Sequence, residues 1–70
     1  MYEELVRIRK EKGYTAGDMA RVIDQSVPNY SKKENGKVKF TLSEAFKIAD
    51  FLDEKVENIF FNKQFAVTEI

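Results

Sequence analysis

The pattern of hydrophobic and polar positions predicts that the 70-residue chain begins with two short helices. Residues 3–12 carry acidic residues in the first turn and basic residues in the last, and they stop at Gly13, an arrangement that favours a helix. Thr15 is a suitable cap for the second helix, with Asp18 three residues later as a short capping box. The apolar positions of that helix recur at i, i+3, i+4 and i+7. They are Ala16, Met19, Ala20 and Ile23.

A third short helix is predicted from Val27 to Glu34. Ser26 is a suitable N-cap, and Pro28 falls at the second helical position, where a missing N–H costs little because first-turn donors are unpaired. Asn35 and Gly36 are a strong stop signal, and the basic stretch after them is predicted to be a loop.

The fourth predicted helix is the most clearly amphipathic one, and it follows a full capping box formed by Thr41 and Glu44. Its expected core positions are Leu42, Ala45, Phe46, Ala49 and Leu52. Val56, Ile59 and Phe60 indicate one or two further helical turns. We expect a domain over residues 1–61 and a tail over 62–70, whose last six residues are rich in β-formers and favour a short strand or an arm.

Composition excludes most catalytic chemistry, because the chain has no cysteine and no histidine. Disulfides, thiolate nucleophiles, the usual zinc sites and imidazole acid–base catalysis are thereby excluded. We expect a protein that is not an enzyme, with no cofactor, no metal and no small-molecule substrate. No window is long and apolar enough to span a membrane, and the N-terminus lacks the features of a signal peptide, so we expect a cytoplasmic location.

Charge is unevenly distributed along the chain although its net value is zero. Residues 1–39 hold nine Lys and Arg against six Asp and Glu, a balance of +3, and residues 40–70 hold three against six, a balance of −3. The basic half favours a partner that carries negative charge.

The second helix, a turn of about three residues and the third helix have the spacing of a helix-turn-helix, expected at about residues 15–34. The run from Leu5 to Phe60 resembles the Cro/C1-type, or XRE-like, helix-turn-helix family. The matching landmarks are Leu5, Ile8 to Gly13, Thr15, Met19-Ala20, Ser26, Ser31-Lys32, Glu34 to Lys37, the helix from Leu42 to Leu52, and Ile59-Phe60. The resemblance implies a compact, all-α, five-helix domain of the lambda-repressor type, as in a small phage or prophage regulator.

The same resemblance implies which residues meet DNA. The exposed first turns of the third helix would contact base edges in the major groove. These residues are Val27, Pro28, Asn29, Ser31 and Lys32. Residues on either side would contact phosphates. They are Thr15, Ala16, Tyr30, Lys33, Asn35, Lys37 and Lys39. Tyr30 has an alternative role as a partial core residue.

Four residues, at three places in the chain, depart from the family pattern. The family usually has Gln where this chain has Ala16, and a Gly-Val-Ser turn where it has Asp24, Gln25 and Ser26. Lys33 occupies a position at which the family places Ile or Val toward the core. Either the stem of Lys33 is buried with its charge reaching solvent, or the third helix is rotated or shorter than usual.

Two functions remain open at this point. The first is a sequence-specific transcriptional regulator, a Cro-like repressor that binds double-stranded operator DNA as a homodimer, with the apolar tail residues either pairing two copies or completing the core. The second is a protein-binding module, such as an antirepressor that does not bind DNA. The missing Gln at position 16, the zero net charge and the polar residues at Gln25 and Lys33 motivate the second.

Overall fold

The computed structural model describes residues 2–60, which form five helices. Their bounds are α1 Glu3–Glu11, α2 Ala16–Val22, α3 Val27–Glu34, α4 Leu42–Leu52 and α5 Val56–Ile59. Over these residues the all-α, five-helix prediction is confirmed. The strand or arm expected near the C-terminus and the boundary between residues 61 and 62 lie outside the described residues.

Side-chain caps fix where three of the helices begin. Thr15 Oγ1 accepts from the Asp18 N–H at 3.1 Å, and Asp18 Oδ2 accepts from the Thr15 N–H at 2.8 Å. Thr41 and Glu44 exchange the same two bonds at 3.1 and 3.0 Å. Ser26 Oγ accepts from the Asn29 N–H at 3.3 Å at the start of α3. Each bond satisfies a first-turn donor, so the predicted starts of α2, α3 and α4 are confirmed.

The core lies where all five helices meet, and it is built from aliphatic residues with one aromatic cluster at its edge. The largest fully buried side chains are Tyr30, Leu5, Met19, Ile48, Leu52 and Ile59. The ring of Phe40 lies 5.3 Å from that of Tyr2, 5.3 Å from that of Phe60 and 6.0 Å from that of Tyr30, centroid to centroid. Such tilted and edge-to-face pairs favour one packing arrangement over others. They hold the loop before α4 against α3 and the end of α5.

Two residues expected in the core of α4 are exposed, so that part of the prediction is wrong. Leu42 is 62% exposed and Phe46 is 53% exposed, whereas Ile48 is fully buried. The buried stripe consists of Ala45, Ile48, Ala49 and Leu52, with the spacing i, i+3, i+4 and i+7. Phe46 lies one residue, about 100° around the helix, from Ala45 and so falls beside the stripe. Leu42 shares the face of the stripe, but it is the first residue of α4 and lies beyond the end of the core.

Candidate nucleic-acid interface

The turn between α2 and α3 is fixed by backbone geometry and by one buried side chain. Ile23, the C-cap of α2, is buried, and Ala20 is buried on the same helix. Asp24 follows in the left-handed conformation with φ of 58°, and the Gln25 N–H donates to the Ala20 carbonyl oxygen at 2.9 Å. The apolar positions predicted at Ala20 and Ile23 are thus confirmed as buried. The result is a tight turn that presents α3 at the surface.

The leading edge of α3 points away from the core. Val27 is 48% exposed, Pro28 and Asn29 are exposed, and Ser31 is half-buried. Lys32 lies on the same helix and is exposed. No acidic residue lies in the first turn of this helix. All five residues expected to contact bases are therefore at least partly accessible, on a helix whose first turn is free of negative side chains.

Tyr30 is fully buried, and the expectation that it contacts phosphate is wrong. Its hydroxyl donates to Glu34 Oε2 at 3.0 Å, one helical turn along α3. Burial, followed by the neighbouring Glu34 carboxylate, raises the pKa of Tyr30 above the usual range of a phenol. The alternative role of this residue, in the core, is the one that the structure supports.

Lys33 is only 9% exposed, and the structure also removes it from the phosphate-contacting set. Its Nζ donates to Glu44 Oε1 at 2.7 Å and to the Lys39 carbonyl oxygen at 3.4 Å. Because α3 keeps its predicted bounds, the helix is not shortened; instead the whole side chain turns inward and its ammonium is paired inside the molecule. The ammonium is turned toward Glu44 and the Lys39 carbonyl and is therefore not presented at the surface to a phosphate.

Glu44 is the partner that makes this burial possible. Burial alone raises the pKa of a carboxyl group, but hydrogen bonds from Lys33 and Thr41 outweigh burial and lower the pKa of Glu44 below its usual value. The same oxygen, Oε1, accepts from Lys33 Nζ and from the Thr41 N–H. Glu44 therefore joins α3 to the start of α4.

A second ion pair joins α3 to another neighbour, α1. Arg9 Nε donates to Glu34 Oε2 at 2.8 Å, and Arg9 Nη2 donates to Glu34 Oε1 at 3.3 Å. Arg9 Nη1 also donates to the Tyr14 carbonyl oxygen at 3.0 Å. Sequence reasoning missed both ion pairs. The Tyr30–Glu34 hydrogen bond could have been predicted from its i, i+4 spacing on one helix. The Arg9–Glu34 and Lys33–Glu44 pairs could not, because their residues are far apart in the sequence.

The remaining residues expected to contact phosphates lie on either side of α3. Thr15, Asn35, Lys37 and Lys39 are exposed, and Ala16 is half-buried. The N–H groups of Lys37 and Val38 donate to the Lys32 carbonyl oxygen at 2.9 and 3.3 Å, so the loop after α3 folds back on the end of that helix. Lys37 is thereby held close to Lys32. Lys39 lies two residues farther along the same loop.

Within residues 2–60, no three metal-binding side chains come together, and no helix is long and apolar enough to cross a membrane.

The family model described as Helix-turn-helix matches residues 5–58. That range runs from the first buried residue of α1 into α5. No curated protein and no solved structure matches the chain.

Proposed function

Because the chain belongs to the helix-turn-helix family of the Cro/C1 type, a family of DNA-binding regulators, we propose that it recognises a specific operator in double-stranded DNA through α3. It acts as a Cro-like repressor, which occupies a promoter and so blocks access of RNA polymerase.

The observation that carries this proposal is the division of α3 into two faces. The inner face carries Tyr30, Lys33 and Glu34, all buried and all paired with protein groups. The outer face begins with Val27 and continues through Asn29 to Lys32. A helix held on one side and exposed on the other can enter the major groove without rearrangement of the core.

The chemistry of the outer face suits base edges. Val27 and Pro28 are apolar and suit a thymine methyl group, the amide of Asn29 suits adenine, and Lys32 suits guanine O6 or N7. The hydroxyl of Ser31 can donate a hydrogen bond to a base edge or accept one from it. Lys37, Lys39, Asn35, Thr15 and the backbone N–H of Ala16 supply the proposed phosphate contacts. The Thr15 hydroxyl accepts its capping bond with oxygen and so retains its hydrogen for a phosphate.

We propose that two copies bind one operator. A single domain of this size covers a limited DNA surface, and paired helix-turn-helix units occupy half-sites about 34–36 Å apart on one face of the duplex. The operator is then expected to be palindromic. For contact between the copies we propose the apolar residues Phe61, Phe65, Val67 and Ile70.

The test begins with selection of duplexes from a random-sequence pool, followed by titration of the selected duplex at several salt concentrations. Phosphate contacts require log affinity to fall against log salt with a slope of about 0.9 per neutralised phosphate. We expect the titration to give a stoichiometry of two copies per duplex. An absence of binding at low salt contradicts the proposal and favours the protein-binding alternative.

Lysine variants separate base contacts from phosphate contacts. Lys32→Ala is expected to relax sequence preference at one base position by about 1 to 3 kcal/mol. Lys37→Ala is expected to weaken binding to all duplexes alike and to reduce the salt slope by about 1. Lys55→Ala, which removes the same charge at the exposed start of α5, is the matched control and should change neither quantity. Equal losses from Lys32→Ala on operator and random DNA would contradict the assignment.

A further inference from the structure

The amide of Asn29, on the outer face of α3, has a protein partner in the preceding turn. Asn29 Nδ2 donates to Gln25 Oε1 at 3.4 Å. Asn29 is exposed and Gln25 is half-buried. We propose that Gln25 is a positioning residue that holds the Asn29 amide in the orientation that recognises adenine, an inference that rests on the proposed function.

Hydrogen-bond chemistry allows Asn29 to serve both partners at once. An asparagine recognises adenine by accepting from N6 with Oδ1 and donating to N7 with Nδ2. That pair uses only the amide hydrogen on the Oδ1 side, and the second hydrogen of Nδ2 is left for another acceptor. Gln25 Oε1 is such an acceptor. With Gln25 in this orientation, a reversed Asn29 would place two carbonyl oxygens against each other, so the contact favours the nitrogen of Asn29 on the side of Gln25.

The backbone of Gln25 is fixed, so its side chain starts from a defined position beside α3. Its backbone N–H donates to the Ala20 carbonyl oxygen at 2.9 Å, directly after the left-handed residue Asp24. At the other end of the pair, the Asn29 N–H donates to Ser26 Oγ at 3.3 Å. Both backbones are therefore held before DNA arrives. Restricting the Asn29 side chain in advance lowers the entropy that is lost when it binds a base.

The contact can be tested first in the free protein, without DNA. Relaxation of the Asn29 side-chain amide is measured by NMR in the native chain and in Gln25→Met, which has a similar length but no oxygen acceptor. We expect the Asn29 amide to become more mobile in Gln25→Met and to stay restricted in Gln25→Glu, which keeps an acceptor. Equal mobility in the native chain and in Gln25→Met would overturn the proposal.

The second test measures base preference on the selected duplex and on its single-base variants. Asn29→Ala should abolish an adenine preference at one position, and Gln25→Met should reduce that preference by about two- to fourfold, the range expected of one surface pair and one restricted side chain. Gln25→Glu should retain the preference while its added charge weakens binding to every duplex alike. In the Asn29→Ala background, Gln25→Met should cause no further change.

The outcomes distinguish this inference from the proposed function. An undiminished adenine preference in Gln25→Met, or an equal effect of Gln25→Met with and without Asn29, would overturn the positioning role while leaving DNA recognition intact. A native chain that selects no preferred duplex would overturn both, and the NMR measurement would then report on the Gln25–Asn29 contact alone.

Discussion

At the scale of single residues, the backbone conformation of Asp24 is the feature of the turn with the clearest energetic cost. Its φ of 58° lies in the left-handed region, which costs an L-residue with a Cβ about 1 kcal/mol and glycine almost nothing. Aspartate and asparagine tolerate this region better than most residues, and Gly13 and Gly36 occupy it at the ends of α1 and α3. At Asp24 the turn therefore adopts a backbone conformation that is typical of glycine, although the residue is aspartate.

Asp24→Gly is expected to raise the free energy of unfolding by about 0.5 to 1 kcal/mol, because it removes the left-handed penalty at an exposed position. Asp24→Ala, which keeps the Cβ and loses the polar group, should lower stability by a similar amount. Urea unfolding curves of the three chains measure both changes. A loss of stability in Asp24→Gly would show that the carboxylate contributes more than the backbone conformation costs.

At the scale of elements, α3 is held by two ion pairs that come from different neighbours. The Arg9–Glu34 and Lys33–Glu44 pairs have side chains only about a tenth exposed. Buried pairs are weak evidence for stability, because desolvation offsets their attraction, but removing one partner leaves an uncompensated charge. Their effect here is to fix the orientation of α3 relative to α1 and α4.

Lys33→Met is expected to destabilise the fold by about 2 to 3 kcal/mol, because it leaves the Glu44 carboxylate buried without its cation. The double variant Lys33→Met with Glu44→Gln should recover most of that loss, since the introduced amide oxygen can still accept from the Thr41 N–H. Chemical unfolding in a double-mutant cycle measures the coupling. Additive losses would show that the two side chains do not interact in solution.

The Lys33–Glu44 pair also predicts an acid dependence. The pKa of Glu44 is lowered in the folded state. The stability that the ionised carboxylate contributes is therefore complete above the unfolded pKa of about 4.3, and it is lost as pH falls through the folded pKa. Comparing unfolding at neutral pH with unfolding at progressively lower pH should show less acid destabilisation in the double variant than in the native chain. Identical pH profiles would contradict this prediction.

Features encoded at short range were predictable from the sequence, and features set by packing between helices were not. The capping boxes of Thr15 and Thr41 fixed helix starts because both partners lie three residues apart. Leu42 was misplaced because periodicity shows which positions share a face but not how far the core extends along it. The inward turn of Lys33 depends on Glu44, eleven residues away, and only the fold brings them together.

At the scale of the whole molecule, the charges that face solvent differ from those counted along the chain. Arg9 and Lys33 belong to the basic first half, yet both are paired inside with Glu34 and Glu44. The exposed lysines in α3 and in the loop that follows it are Lys32, Lys37 and Lys39. Acidic residues concentrate late in the described chain, where Asp50, Asp53 and Glu57 are exposed on α4, at its end and on α5. The positive charge of the proposed DNA surface thus comes from few residues. Removing any one of these lysines should therefore have a measurable effect on DNA affinity.

The limits of the core can be tested with two residues of α4 that lie two positions apart. Ile48→Ala is expected to lower the free energy of unfolding by about 2 to 4 kcal/mol, because Ile48 is fully buried and its loss leaves a cavity. Phe46→Ala, the matched control on the exposed side, should change stability by less than about 1 kcal/mol. Thermal or urea unfolding compares the two. A larger loss from Phe46→Ala would mean that another part of the chain covers it.

The shared oxygen of Glu44 has an evolutionary consequence. Because that single atom accepts from both the α4 cap and the ammonium of Lys33, positions 33 and 44 are expected to covary among homologues. Sequences with an aliphatic residue at 33 are released from the need for a carboxylate at 44 and can carry glutamine or another capping side chain there. Those that keep lysine should retain the acid.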